Sequence, residues 1–178
     1  KRKNRGEMLI RGTSLHTGRL VDGKLLPPFL DEEGWYHTGD VVRLGKSGRM
    51  YVEGRCKDVI INESGENVYP DEIEDVFSAL ENVDQFCVLG LRPIEKTRKI
   101  SVFKDKSTGY EDIALVLSVG AHFTDESYLE ALARSIRQIN LRLPAIKRVT
   151  RVIVTNQPFA VVNGIKVKRL ALKKSLEE

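Results

Sequence analysis

Cysteine is scarce in this chain: Cys56 and Cys87 are the only two in 178 residues. Their spacing suits neither a disulfide framework nor a metal-ligand cluster, which argues against a stapled secreted domain and favours a reducing cytoplasm; no metal site is expected. Long apolar runs are lacking as well. None approaches the roughly 18 residues that a membrane span requires, so no transmembrane segment is expected. The basic opening "KRKNRGE" is not followed by the unbroken apolar stretch of a signal peptide, and nothing in it directs export. A phosphate-cradling loop needs a run of free backbone N–H groups, and no segment here supplies one. Acidic residues are missing from Arg142 to Lys174, where nine Lys or Arg stand without an Asp or Glu. That bias points to an anionic partner. The charge is unaccompanied by an aromatic-interleaved RNA-binding motif, zinc-finger spacing or helix-turn-helix, so no nucleic acid is expected and a phosphorylated small molecule fits better.

What is present reads as an ordinary soluble protein: 41% hydrophobic and 30% charged residues, with a formal net charge of +4. The length suits one domain, or one domain and part of another. The texture changes part-way. Residues 6 to 56 hold short alternating apolar runs broken by glycine, "GEMLIRG", "GRLVDGKLL" and "DVVRLGKSGRMYVEG", which predict strands and hairpins. At "YPDEIEDVFSALENV", Pro70 suits a first helical turn, acidic residues suit its N-terminus, and Ile73, Val76, Phe77 and Leu80 recur at helical spacing.

A strand "QFCVLGL" follows, then a hairpin through "KISVFKDKSTGYEDIALVLSV". Next come a helix "DESYLEALARSIRQINLRL" capped by Thr124 or Asp125, a last strand "RVTRVIVTN", an irregular "QPFAVVNG" and a basic tail. The expected fold class is α+β: a small C-terminal domain over residues 57–178, with a central β-sheet flanked by helices, preceded by a β-rich segment, 1–56. The β-rich segment looks too small and open to stand alone, and is expected to be the end of a larger N-terminal domain.

Five stretches, "GEMLIRG", "WYHTGDVVRL", "GRCKDVIINESGENVYPDEIE", "LPAIKRVTRVIV" and "NGIKVKR", occur in order and spread over nearly the whole chain. In that order and approximate spacing they resemble the C-terminal end of the AMP-forming adenylating enzymes. These comprise the acyl-CoA synthetases, the adenylation domains of nonribosomal peptide synthetases, and the luciferases. The resemblance implies a two-step reaction. A carboxylate attacks the α-phosphate of ATP to give an acyl-adenylate and pyrophosphate, and a thiol then displaces AMP. It also implies ATP/AMP, Mg2+ carried by ATP rather than by this chain, and CoA or phosphopantetheine. The implied partners are a carboxylic acid, CoA or an acyl or peptidyl carrier protein, and the missing N-terminal domain. Both steps concentrate negative charge, so the site needs positioned cations, backbone donors and an acceptor for ribose hydroxyls.

The same resemblance assigns residues. Asp40 in "YHTGD" matches the aspartate that accepts hydrogen bonds from the ribose hydroxyls; set apart from the motif it would be a turn residue. Arg55 in "GRCKD" matches an arginine that reaches ribose or phosphate oxygens, with a surface ion pair as the plainer reading. Lys57 stands at the hinge about which the C-terminal domain turns between the two half-reactions. Ser64, Gly65, Glu66 and Asn67 belong to the glycine loop that lines the thiol tunnel in the second step, where Gly65 also suits a simple hairpin turn. "GENVYP" leans toward acyl-CoA synthetases rather than peptide-synthetase domains. Lys166 matches the lysine that bridges substrate carboxylate and adenylate oxygens in the first step. The family has Gly directly before this lysine, whereas Ile165 intervenes here; counting back from "RLAL" favours Lys166, with Lys168 as the other candidate.

The phosphate loop, adenine segment and acyl pocket of the family lie in its N-terminal domain. The chain is therefore expected to be a fragment, inactive alone, of an ATP-dependent ligase that joins a carboxylic acid to CoA. Loading of a carrier-protein thiol is the nearest alternative, and a stand-alone basic module binding CoA, a carrier protein or nucleic acid is the more distant one.

Overall fold

The computed structural model describes residues 4–62, 64–92, 111–162 and 166–177. The chain divides into two compact units, Lys1–Lys57 and Asp58–Glu178.

The first unit is built of strands. β1 (Arg5–Ile10), β4 (Tyr36–Leu44) and β5 (Met50–Arg55) form an antiparallel sheet in the order β1-β4-β5. β2 (Arg19–Val21) and β3 (Lys24–Leu26) form a separate hairpin. Its two-residue turn, Asp22–Gly23, has positive φ at both positions (48° and 77°), the geometry that Asp-Gly favours because it matches the strand twist. Val41 and Val42 are buried, while Leu20, Leu25, Met50 and Val52 are exposed and Phe29 keeps 82% of its surface.

The second unit has a sheet covered on both faces. β8 (Gln85–Leu91) pairs antiparallel with β9 (Asp112–Ser118), which pairs in parallel with β10 (Arg151–Thr155), giving the order β10-β9-β8. All seven residues of β9 are buried, as an unbroken apolar strand requires when both faces are packed. Strand alternation sorts the side chains. Val88, Leu115, Leu117, Val152 and Val154 join the cluster containing Ile73, Phe77, Leu132 and Ile136 of α1 (Pro70–Phe77) and α2 (Glu126–Asn140). Cys87, Leu89, Ala114, Val116 and Ile153 face the other way and pack with Phe159, Val167, Leu172 and Leu176. The last two lie on α3 (Arg169–Glu177). The architecture is α+β, as expected from the sequence.

Local chemistry explains the element ends. α1 begins with proline in its first turn followed by Asp71 and Glu72, whose charges complement the positive end of the helix dipole. Asp125 caps α2, its side chain accepting a hydrogen bond from the Tyr128 N–H at 3.1 Å. α2 stops at Asn140, short of the expected Leu143. Asn140 is buried and its amide bonds the backbone of Val149 from both sides, Nδ2 donating to the carbonyl at 3.0 Å and Oδ1 accepting from the N–H at 2.9 Å.

Three expectations need correction or completion. The segment read as a basic tail holds α3, whose Leu172 and Leu176 are one helical turn apart and cover the sheet. Within the irregular segment, β11 (Val161–Val162) pairs antiparallel with β12 (Lys166–Val167). Of the hairpin expected over 99–119, the Ser107-Thr108-Gly109 turn and the first arm lie outside the described residues, and the described partners of β9 are β8 and β10.

Candidate functional site

In the first unit, the "TGD" turn sits within β4. Gly39 has φ +74°, a backbone state that glycine alone adopts freely, and its N–H donates to Glu7 Oε1 at 3.0 Å. Thr38 Oγ1 donates to the Met8 carbonyl and accepts from the Asp40 N–H. These bonds fix Asp40, which stands directly across from Arg55 in the β4–β5 register. Arg55 Nε approaches Asp40 Oδ1 at 2.8 Å, with the carboxylate side chain 26% and the guanidinium side chain 51% exposed. The structure thus brings two of the predicted nucleotide-binding residues into one carboxylate–guanidinium pair that keeps solvent-facing acceptors and donors. Lys57, the predicted hinge, is the exposed middle residue of a short 3-10 turn, Cys56–Asp58.

A histidine site beside this pair escaped the sequence analysis. His37 Nδ1 lies 3.0 Å from Glu7 Oε2, and Nε2 lies 3.4 Å from Asp31 Oδ2. The Glu7 hydrogen bond raises the His37 pKa above its ordinary 6.5. Hydrogen bonds from His37 lower Glu7, and the Trp35 N–H followed by that of Glu33 does most to lower Asp31. For a raised histidine, the stabilising contribution is complete below the unfolded pKa and is lost as pH rises through the folded value. The two carboxylates behave oppositely, contributing above their unfolded values and losing that contribution as pH falls. The first unit should therefore lose stability as pH climbs above about 6.5, and His37→Gln should remove that slope. Proton NMR titration of His37 checks this: a midpoint at or below 6.5 would contradict it.

In the second unit, Asn62 and residues 64–66 lie between β6 (Ile60–Ile61) and β7 (Asn67–Val68). Gly65 has φ +70°, and a Cβ added there would meet nothing within 4 Å. The loop thus faces open space, and Ser64, Gly65, Glu66 and Asn67 are all exposed. Lys166 opens β12 opposite Val162. Lys166 and Lys168 are exposed, while Val167 between them packs on the apolar cluster under α3. The backbone N–H of Lys168 is tied to the Ala160 carbonyl at 2.8 Å. Ile165, the departure from the family pattern, lies outside the described residues. An open groove of about 370 Å³ is lined by residues 166–171 together with Asp58.

Arg169, at the start of α3, also escaped the sequence analysis. Its guanidinium, 10% exposed, reaches Asp58 at 3.2 Å, Asp71 at 2.5 Å and Glu74 at 2.6 Å. Glu74 in turn accepts the Val88 N–H at 2.8 Å. Burial pushes the Glu74 carboxyl up, while Glu74 and Asp71 hold Arg169 above the ordinary guanidinium range. Four of the nine cations in the basic run 142–174 are accordingly paired from within the chain. Lys147 pairs with Glu72, Arg151 with Asp112, Arg169 with three carboxylates and Lys173 with Glu111. This corrects the inference that the whole run serves an anionic partner. Those acidic residues come from distant parts of the sequence, which charge counting along the chain could not reveal. Lys166 and Lys168 are exposed, have no ion pair among the described residues and are among the cations open to a ligand.

Comparison with known proteins finds relatives among CoA ligases. The chain is 29% identical over 184 residues to long-chain-fatty-acid–CoA ligase 5 of Mus musculus, a match covering 96% of this chain and 26% of the ligase. It is 35% identical over 130 residues to a putative ligase of Mycobacterium tuberculosis, covering 72% of this chain and 24% of that protein. The chain matches the C-terminal part of the AMP-forming acyl-CoA ligases. Among solved structures, the o-succinylbenzoate CoA synthetase of Bacillus subtilis, in complex with its acyl-adenylate intermediate, superposes with a TM-score of 0.57 at 25% identity. That match covers 95% of this chain and 30% of the synthetase. No protein-family model matches. The chain spans about a quarter of the length of the curated ligases it matches. Among the described residues, no helix is long and apolar enough to cross a membrane.

Proposed function

We propose that this chain serves as the C-terminal part of an ATP-dependent, AMP-forming ligase that adenylates a carboxylic acid and transfers the acyl group to CoA. The observation that carries the reading is the match of nearly the whole chain to CoA ligases, at a quarter of their length. CoA is favoured over a carrier-protein thiol because the matched mouse ligase and the superposed synthetase are CoA enzymes by name. A reducing cytoplasm is the setting we infer, supported by two cysteines that remain free thiols.

In this reading, Asp40 accepts hydrogen bonds from the ribose hydroxyls of ATP, and Arg55 steadies that carboxylate while offering its remaining N–H groups to ribose or phosphate oxygens. A carboxylate with one oxygen held by an arginine at 2.8 Å and an exposed remainder fits a vicinal diol. Lys166 draws the substrate carboxylate toward the α-phosphate and offsets the charge that develops there. Exposure and the lack of an ion pair among the described residues support that role. Lys57 carries the backbone change between the two half-reactions, a role supported by its place at the end of the first compact unit. The 64–67 loop approaches the thiol arm, helped by open space at Gly65. ATP supplies the adenylyl group and CoA the thiol. In this reading Mg2+ enters on the phosphates of ATP.

The test is made on the full-length protein. It should show carboxylic-acid-dependent exchange of pyrophosphate into ATP, and release of AMP that depends on added CoA. The chain on its own should show neither. A full-length protein without acid-dependent exchange would contradict the reading.

A further inference from the structure

Asn62 is one of few buried polar residues among the described residues of the second unit, 7% exposed, and stands at the base of the turn that holds residues 64–66. Its side chain bonds on both sides. Oδ1 accepts the N–H groups of Ser64 and Glu66, both at 3.0 Å, and Nδ2 donates to the Ile146 carbonyl at 2.9 Å. Its backbone closes the same turn: the N–H donates to the Glu66 carbonyl at 3.2 Å and the carbonyl accepts from the Gly65 N–H at 2.9 Å. One residue therefore holds the loop's amides inward and ties the loop to the 145–147 turn, more than eighty positions further along. That turn is itself anchored to α1 by the Lys147–Glu72 ion pair.

We infer that Asn62 is a positioning residue for thiol transfer, fixing the Gly65 loop in the conformation that receives the thiol arm. The inference rests on the proposed role of that loop. An asparagine is suited to the task because a single planar amide presents two acceptor lone pairs on one side and a donor on the other. Serine or threonine carries donor and acceptor on one oxygen and could not place them on opposed sides, and ionised aspartate would lack the donor. The residues whose amides it holds are exposed, and the Ile146 carbonyl belongs to a residue that keeps 43% of its surface. Water can replace the lost bonds, so removal of the side chain should loosen the loop without unfolding the unit.

The experiment compares Asn62→Ala, Asn62→Asp and Gly65→Leu in the full-length ligase. Hydrogen exchange at Ser64 and Glu66 should accelerate about tenfold in Asn62→Ala, the effect of one to two lost hydrogen bonds, with β8 and β9 unchanged. Asn62→Asp keeps both acceptor bonds and should retain most of that protection while losing the tether to Ile146. With acyl-adenylate supplied, thioester formation should fall about tenfold in kcat for Asn62→Ala and less for Asn62→Asp. Adenylate formation should be retained in both, a split that general destabilisation would not produce. Equal loss in both half-reactions, or accelerated exchange with normal transfer, overturns the inference. If Gly65→Leu blocks transfer while Asn62→Ala does not, Asn62 alone is misassigned. If Gly65→Leu transfers normally, the loop's role fails and the inference falls with it.

Discussion

Lys166→Ala in the full-length protein should lower adenylate formation by about a hundredfold, the loss expected when a charge stabiliser worth about 3 kcal/mol is removed. Folding should be little affected, because Lys166 is exposed and forms no ion pair among the described residues. Thioester formation from a supplied acyl-adenylate should be spared. Lys168 is the internal control, since it is likewise exposed, two residues on. A hundredfold loss in Lys168→Ala with normal activity in Lys166→Ala would move the assignment to Lys168. Pyrophosphate exchange measured on both variants, beside their thermal unfolding, decides between them.

Arg169→Ala should produce the largest loss of stability. The guanidinium stands among Asp58, Asp71 and Glu74, and its removal leaves carboxylates facing one another with no cation between them. Breaking a fully buried pair costs about 3–5 kcal/mol; with the three carboxylate side chains 23% to 43% exposed, about 2–3 kcal/mol is expected here. The charge partly explains it and the fork geometry the rest, so Arg169→Lys should recover only part of the loss. Burial already holds Glu74 above its ordinary value, and Arg169 offsets that penalty. In the variant, the deficit should be greatest where Glu74 is ionised and should shrink as falling pH returns its proton. Urea unfolding at two pH values measures both effects. A change below about 0.5 kcal/mol would mean that the cluster is an ordinary surface network.

The elements legible in the sequence were those with strong local signals. β8 stood out as an apolar run between polar neighbours, and the start of α1 was marked by Pro70 and the acids behind it. α3 was hidden because Arg169, Lys173 and Lys174 dominate its composition and only Leu172 and Leu176 carry its buried stripe. β11 and β12, two residues each, are too short to show a period. In the site, the residue types at 40, 55 and 166 were readable from motifs, but pairing was not. That Asp40 faces Arg55 is a matter of strand register, and Asn62 bonds a carbonyl on another turn. The acids that neutralise the basic run lie at 58, 71, 72, 74, 111 and 112, far from the cations they meet. Such contacts exist only once the chain is folded.

In the proposed reading, this chain serves two half-reactions with separate residues: Lys166 for adenylation, and the Lys57 hinge with the Gly65 loop for thiol transfer. Proline at 57 fixes one backbone dihedral of the pivot, and leucine at 65 fills the open space beside the loop. Separate assays of the two half-reactions on Lys166→Ala, Lys57→Pro and Gly65→Leu in the full-length protein test the claim most directly. Lys166→Ala should lose acyl-AMP formation and keep transfer, while Lys57→Pro and Gly65→Leu should keep acyl-AMP formation and lose transfer. Equal losses in both steps for all three variants would contradict it.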